Sequence, residues 1–245
     1  MSKLAHHYAH RGFHSKPSIP ENSIPAFERA IEHGFPVEFD VHLLSDGGLS
    51  VFHDDDLERQ TGFKGRIEDE TLESLKRYRL EGTDERIPSF NDVLDLFEHT
   101  QLPLLIELKA SHGNHVALAD AVCERMKNYT GEYVIESFDP RVLIEVRKKA
   151  PDIAVGQLAQ NFLKRREGLP FYQAVILTNM MFNVKIKPDF VAYRYDDIDV
   201  FAARSAIKRG ISAAVWTVDN INDYRKAKEA GLVPIFEQFD PEEIN

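Results

Sequence analysis

The chain has one cysteine among its 245 residues, Cys123, so no internal disulfide is open to it. It has no apolar run near the ~20 residues a membrane-spanning helix needs, so stable membrane insertion is not expected. Its first residues, Met1 to Gly12, lack the apolar stretch of a secretory leader, and the cytoplasm is the expected location. Gly/Ser tracts, Pro-rich stretches and long runs of like charge are missing too, so a single domain spanning residues 1–245 is expected. Positive charge is the scarcer sign. Lys and Arg number 30 against 40 Asp and Glu, for a formal net charge of -10. A nucleic-acid binder needs a basic face, so nucleic acid is an unexpected partner. A small phosphorylated substrate stays compatible, because a metal and a few local cations can offset the charge. One sequence shows no interface, so oligomeric state is left open. Cys123 falls in a helical stretch, Val116 to Lys127, and reads as a small core residue rather than a nucleophile.

What is present is an alternation of short apolar runs with helical patterns. Strands are predicted over 4–9, 37–42, 104–108, 133–137, 154–158, 190–193, 213–217 and 233–236. Helices are predicted over 23–33, 89–99, 115–127, 140–149, 198–209 and 221–230. Asp139-Pro140 places a cap before a proline at the first helical position. Gly34, Gly210 and Gly231 follow helices where a left-handed residue is wanted. Eight strands alternating with helices predict an α/β fold, a (β/α)8 TIM barrel, with a doubly wound open sheet as the competing architecture. The pattern is weakest over 160–187.

A ninth extended run, Leu49–His53, breaks the alternation. Only Ser45-Asp46-Gly47-Gly48 separates it from the second strand, too little for a parallel crossover. Asp-Gly in a tight turn predicts an antiparallel hairpin. With Asp46 and Gly47 as the two turn residues, His42 faces Val51 and Asp40 faces His53. A bulge or a longer turn would move this register by one residue.

Glu38 and Asp40 are two apart on a strand and share a face, while Val37, Phe39 and Val41 take the other. In a barrel the two carboxylates point inward near the C-terminal mouth, where they repel unless a cation or proton lies between them. Glu107 lies late in its own strand and reaches the same mouth. Alternatively, Glu38 and Asp40 lie on an exposed edge and pair with Lys or Arg; Glu107-X-Lys109 on a second strand argues against that. Three carboxylates without cysteine suit one hard divalent cation, Mg²⁺ or Ca²⁺. His10 and Arg11 end the first strand, where barrels carry active-site groups. Histidine can move a proton near neutral pH, and arginine can clamp phosphate oxygens. His10 stands out from the other histidines by the Arg-Gly that follows it, and His53 by Asp40 across the hairpin. Lys109 could neutralise phosphate charge. Ser137-Phe138 and Trp216-Thr217 end other strands, and Phe138 and Trp216 read either as pocket walls or as core.

The chain resembles the glycerophosphodiester phosphodiesterases. The resemblance lies in His10-Arg11-Gly12, Pro20-Glu21-Asn22-Ser23, Glu38-X-Asp40-Val41, Asp46-Gly47, His53-Asp54 and Arg59-X-Thr61-Gly62. It continues in Glu107-Leu108-Lys109, Ser137-Phe138 and Trp216-Thr217-Val218. It implies a (β/α)8 barrel with a small excursion after the second strand and a place in lipid and glycerol metabolism. It implies metal carboxylates at Glu38, Asp40 and Glu107, acid–base histidines at His10 and His53, and phosphate-binding groups at Arg11 and Lys109. The implied reaction is hydrolysis of a glycerophosphodiester to glycerol 3-phosphate and an alcohol. The last strand departs from the family pattern. Glu237 stands near where a threonine is usual, which puts the pocket rim and substrate preference in question. The segment 63–86 is too short for a large inserted capping domain. Two other readings use the same residues. One is phospholipase D-like hydrolysis of lysophospholipids or sphingomyelin, for which Phe162, Phe171, Tyr172 and Met180-Met181-Phe182 could supply an apolar surface. The other is a catalytically silent barrel that binds phosphodiesters; it would be expected to lack a ligand or a histidine, and none is missing.

Overall fold

The computed structural model describes residues 4–166 and 168–242. Nine strands occur among them: β1 (Tyr8–His10), β2 (Val37–Leu43), β3 (Leu49–Val51), β4 (Leu104–Leu108), β5 (Tyr133–Ser137), β6 (Val155–Ala159), β7 (Phe190–Arg194), β8 (Ser212–Val218) and β9 (Val233–Phe236). The neighbour order is β1-β9-β8-β7-β6-β5-β4-β2, and β1 pairs back with β2. All these pairings are parallel, so eight strands close a (β/α)8 barrel.

The closure explains where the ninth strand goes. β1 takes the edge of β2 only at Val37 and Glu38. It ends there because Arg11 and Gly12 both turn left-handed, at φ 54° and 79°. Gly12 is also pressed against the first helix, where a Cβ would lie 3.0 Å from the Cβ of Ala26. The freed edge of β2, Val41 to Leu43, is taken by antiparallel β3.

The hairpin register is one residue off the sequence expectation. Val41 pairs with Val51 and His42 with Ser50, and Phe52 N donates to Asp40 O at 3.1 Å. The loop holds three residues rather than two. Leu44 N donates to Gly48 O at 2.8 Å, Gly47 is left-handed, and Asp46 Oδ1 accepts from Gly48 N at 3.0 Å. His53 therefore sits past the strand end instead of opposite Asp40.

Ten helices follow in chain order among the described residues: α1 (Ile24–Glu32), α2 (Glu58–Thr61), α3 (Leu72–Leu75), α4 (Phe90–Phe97), α5 (His115–Met126), α6 (Pro140–Lys149), α7 (Phe171–Thr178), α8 (Asn183–Ile186), α9 (Phe201–Lys208) and α10 (Ile221–Glu229). Their starts follow local chemistry. Ser23, Ser89, Asp139 and Asn220 each accept a first-turn backbone N–H, worth about 1 kcal/mol apiece. Two expectations shift. The first strand is shorter, and α9 starts at Phe201 after a 3₁₀ turn over Tyr195–Asp197. The weak stretch 160–187 holds α7 and α8. No helix among the described residues is long and apolar enough to cross a membrane.

Packing separates floor from mouth. Val37, Phe39 and Val41 face outward into the layer shared with the helices, which also buries Cys123. The barrel interior is filled by Tyr8, Leu105, Val134, Phe190, Ala192, Ala214 and Ile235. Gly156 makes room there, since a Cβ would fall 2.1 Å from the Phe190 ring. Burying each large side chain contributes roughly 1.5–3 kcal/mol, so the apolar floor is a rigid seat for the polar residues above it. The excursion after β2 has its own small core of Leu44, Phe52, Leu57, Ile67, Leu75, Tyr78, Leu80 and Ile87.

Candidate active site

The β2–β4 register places Asp40 beside Glu107, and Glu38 one inward step below Asp40. One oxygen from each of the three carboxylates lies within 4.8 Å of the others, and all three residues are buried. Nearby donors fix their orientation. Arg11 N donates to Glu38 Oε2 at 3.1 Å, and Asn22 Nδ2 donates to Asp40 Oδ2 at 2.9 Å. Lys109 Nζ lies 3.1 Å from Glu107 Oε1 and 3.5 Å from Asp40 Oδ1. Arg11 Nη1 donates to Glu21 Oε1 at 2.6 Å, while its Nε lies 3.7 Å from Asp40 Oδ2.

The electrostatics are those of a cage short of positive charge. Burial, then the charges of Asp40, Glu107 and Glu136, hold Glu38 well above the ordinary carboxylate range. Burial outweighs Lys109 and pushes Glu107 up to about 7. Burial acts on Asp40 in the same direction, but His53, Lys109 and Arg11 together overcome it and hold Asp40 low. Glu136 on β5 pairs in register with Glu107, extending the acidic layer. It is 1% exposed, its Oε2 has no hydrogen-bond partner, and burial again raises it. Sequence reasoning passed over Glu136, although its inward parity was available.

His10 and His53 flank this layer. His10 Nε2 is 3.9 Å from Glu38 Oε2, and its Nδ1 is 2.6 Å from Glu237 Oε2. His53 Nδ1 is 2.6 Å from Asp54 Oδ1, and Asp40 is the leading charge acting on the ring. Burial lowers both imidazoles, with Arg11 adding to the effect at His10 and Lys109 at His53. Asp54 is held in turn by Arg59, whose Nη2 also donates to Glu21 Oε1 at 2.6 Å. The pattern Pro20-Glu21-Asn22 thus supplies two supports, Glu21 for the arginines and Asn22 for Asp40. Sequence reasoning gave neither a role. Glu237 was read as a change of rim, and it is a partner of His10.

The far wall is aromatic. Phe138 meets Trp216 edge-on at 5.4 Å and Phe162 at 6.0 Å. Arg194 lies over the Trp216 ring at 5.6 Å. Arg194, Trp216, Thr217, Asp219 and Glu237 help line a cavity of about 280 Å³ on this side.

Residues 10–239 match the sequence model of the glycerophosphoryl diester phosphodiesterase family. The chain belongs to that family. It is 30% identical over 248 residues to a glycerophosphodiester phosphodiesterase from Caldanaerobacter subterraneus subsp. tengcongensis, covering 96% of this chain and 94% of that one. It is 24% identical over 277 residues to a lysophospholipase D from Homo sapiens, covering 96% of this chain and 84% of the relative. Among solved structures, a phosphodiesterase from Oleispira antarctica in complex with the product sn-glycerol-3-phosphate superposes with a TM-score of 0.79 at 24% identity, over 96% of this chain and 93% of that one. The protein is therefore a phosphoric diester hydrolase on a (β/α)8 barrel. Its candidate metal group is the carboxylate set Glu38, Asp40 and Glu107.

Proposed function

We propose that this enzyme hydrolyses glycerophosphodiesters to glycerol 3-phosphate and an alcohol, at one Mg²⁺ or Ca²⁺ held by Glu38, Asp40 and Glu107. The observation that carries this reading is the convergence of three buried carboxylate oxygens within 4.8 Å, flanked by two imidazoles that each bond a carboxylate through Nδ1. An oxygen-only donor set in which burial, and then the neighbouring carboxylates, raise Glu38 and Glu107 above the ordinary carboxylate range fits a hard divalent cation. Bound there, the cation supplies a Lewis acid for a nonbridging phosphate oxygen.

The remaining steps belong to the side chains. Arg11 and Lys109 bind the phosphate and offset its developing charge. One imidazole takes the proton from the attacking hydroxyl, and the other gives one to the leaving alkoxide. The attacking hydroxyl is water or the substrate's own glycerol hydroxyl, by way of a cyclic phosphate. Phe138 and Trp216 form the wall that the departing alcohol leaves. The chain acts as one barrel domain in the cytoplasm, within glycerol and lipid metabolism, and its partner is the small-molecule substrate.

The test is turnover of glycerophosphocholine. His10→Ala and His53→Ala are each expected to lose about 10²–10⁴ in rate. Chelation is expected to abolish turnover, and Mg²⁺ or Ca²⁺ to restore it. Undiminished hydrolysis in the chelator refutes the carboxylate cage.

A second reading has one observation in its favour. Phe171 and Tyr172 are 63% and 62% exposed at the start of α7, which follows β6 from its mouth end. Such residues suit an acyl chain, and the human relative carries a lysophospholipase D name. Met180 and Phe162, by contrast, are buried. Faster release of choline from a long-chain lysophosphatidylcholine than from glycerophosphocholine would favour this reading.

A further inference from the structure

The last strand crosses the barrel seam beside the first. Tyr8 pairs with Ile235 and Ala9 with Phe236, so the next step of the register brings Glu237 next to His10. The two residues are 227 positions apart in sequence, and their side chains meet at 2.6 Å, Glu237 Oε2 to His10 Nδ1. Glu237 is itself anchored. Its backbone N donates to Val218 O at 3.0 Å, Gln238 Nε2 donates to its Oε1 at 3.0 Å, and His14 Nε2 lies 3.6 Å from its Oε2.

We infer that Glu237 is a positioning residue that fixes the tautomer of His10. An ionised carboxylate only accepts, so this short contact puts the His10 proton on Nδ1. The lone pair is then on Nε2, which faces the carboxylate cage with Glu38 Oε2 at 3.9 Å. Without Glu237 nothing ties the proton to Nδ1, and it is free to move to Nε2. Nε2 would then carry the proton and be unable to take one from a substrate hydroxyl. His53 has the same arrangement from a different source, since its Nδ1 meets Asp54, its neighbour in sequence. The site thus holds two imidazoles turned by carboxylates so that both Nε2 atoms are free for proton transfer. One support is local, and the other is borrowed from the far end of the chain.

The catalytic consequence rests on the proposed role of His10 as acid or base, so two readouts are needed. The first is the ¹⁵N spectrum of histidine-labelled full-length protein without metal or substrate, with His10→Ala identifying the His10 resonances. Wild type is expected to show a protonated Nδ1. Glu237→Ala is expected to shift His10 toward protonated Nε2. Glu237→Gln keeps an acceptor of the same size and is expected to retain protonated Nδ1. The second is steady-state hydrolysis of glycerophosphocholine. Glu237→Ala is expected to lose about 10²-fold in kcat with KM changed by less than about threefold, and Glu237→Gln to fall between it and wild type. Unchanged His10 resonances in Glu237→Ala overturn the inference, and so does a wild-type kcat. If wild type turns over no phosphodiester, the proposed function fails, and the spectrum alone still decides what Glu237 does.

Discussion

On the β1–β4 side of the mouth, charged groups hold one another. Glu21 alone receives Arg11 Nη1 at 2.6 Å, Arg59 Nη2 at 2.6 Å and Lys16 Nζ at 2.9 Å. On the β5–β8 side, Phe138, Phe162 and Trp216 pack edge to edge, and the cation among them is loosely tied, with Arg194 Nε 3.7 Å from Asp196 Oδ2. Trp216 Nε1 is buried with no hydrogen-bond partner among the described residues. The first side is preorganised for charge that develops in a reaction, where fixed dipoles and ions need no rearrangement. The second offers shape and one or two spare donors, which suits recognition of a variable alcohol. On the proposed reading, chemistry belongs to one wall and choice of substrate to the other.

The sharpest way to break that assignment is at the carboxylate cage. Asp40→Asn keeps the side chain's size but removes the charge that Arg11 and Lys109 face. If Asp40 is a metal ligand as proposed, losing it from a charge-stabilising centre worth several kcal/mol is expected to lower kcat/KM by about 10³-fold or more. Calorimetric titration with Mg²⁺ or Ca²⁺ is expected to show weakened binding in the same variant. Intact metal affinity with lost turnover would move Asp40 out of the ligand set.

A test of the supports comes next in size. Burial would raise the Glu21 carboxyl, but Arg59, Arg11 and Lys16 hold it well below the ordinary value near 4.5. A carboxylate depressed in the folded state binds fewer protons there than in the unfolded chain. Its stabilisation is therefore full above about pH 4.5 and is lost as pH falls toward the folded value. Glu21→Gln leaves the mostly buried Arg11 and the half-exposed Arg59 and Lys16 without their shared partner, and is expected to cost about 1–3 kcal/mol at pH 7. Urea unfolding as a function of pH is expected to show a shallower fall of stability below pH 4.5 in the variant. An unaltered acid slope would show that the network is cosmetic.

Much of this could be read before the fold was known, and the remainder had physical reasons to stay hidden. Period-two spacing was enough to put Glu38 and Asp40 on one face, and the strand count with helical spacers was enough for a barrel. The hairpin slipped by one because Asp-Gly serves both two-residue and three-residue turns. The difference is the bond from Gly48 N to Asp46 Oδ1, a side-chain choice that spacing does not encode. α7 was obscured because Phe171 and Tyr172 are apolar yet exposed, which erases the amphipathic period. Glu136 had the right parity but no countercharge to draw attention to it. Glu237 acquires its meaning only when the barrel closes and brings its last strand beside its first.

The smallest expected effect lies on the aromatic wall, and it sharpens the contrast most. Trp216 closes against Phe138 and carries Arg194 over its ring, so truncating it changes the shape of the far side while leaving the cage carboxylates and their donors in place. Trp216→Phe removes the indole N–H and one ring, a change of a few methylene equivalents. Such pocket edits discriminate between substrates by roughly 10–200-fold per methylene at most, and less where the ring is partly replaced. KM is expected to rise about three- to tenfold, by unequal factors for glycerophosphocholine, glycerophosphoethanolamine and glycerophosphoglycerol, with kcat nearly constant. That is the signature of lost uniform binding. If kcat falls instead, and equally for every alcohol, the aromatic wall takes part in the transition state, and the division between a chemical side and a selective side does not hold.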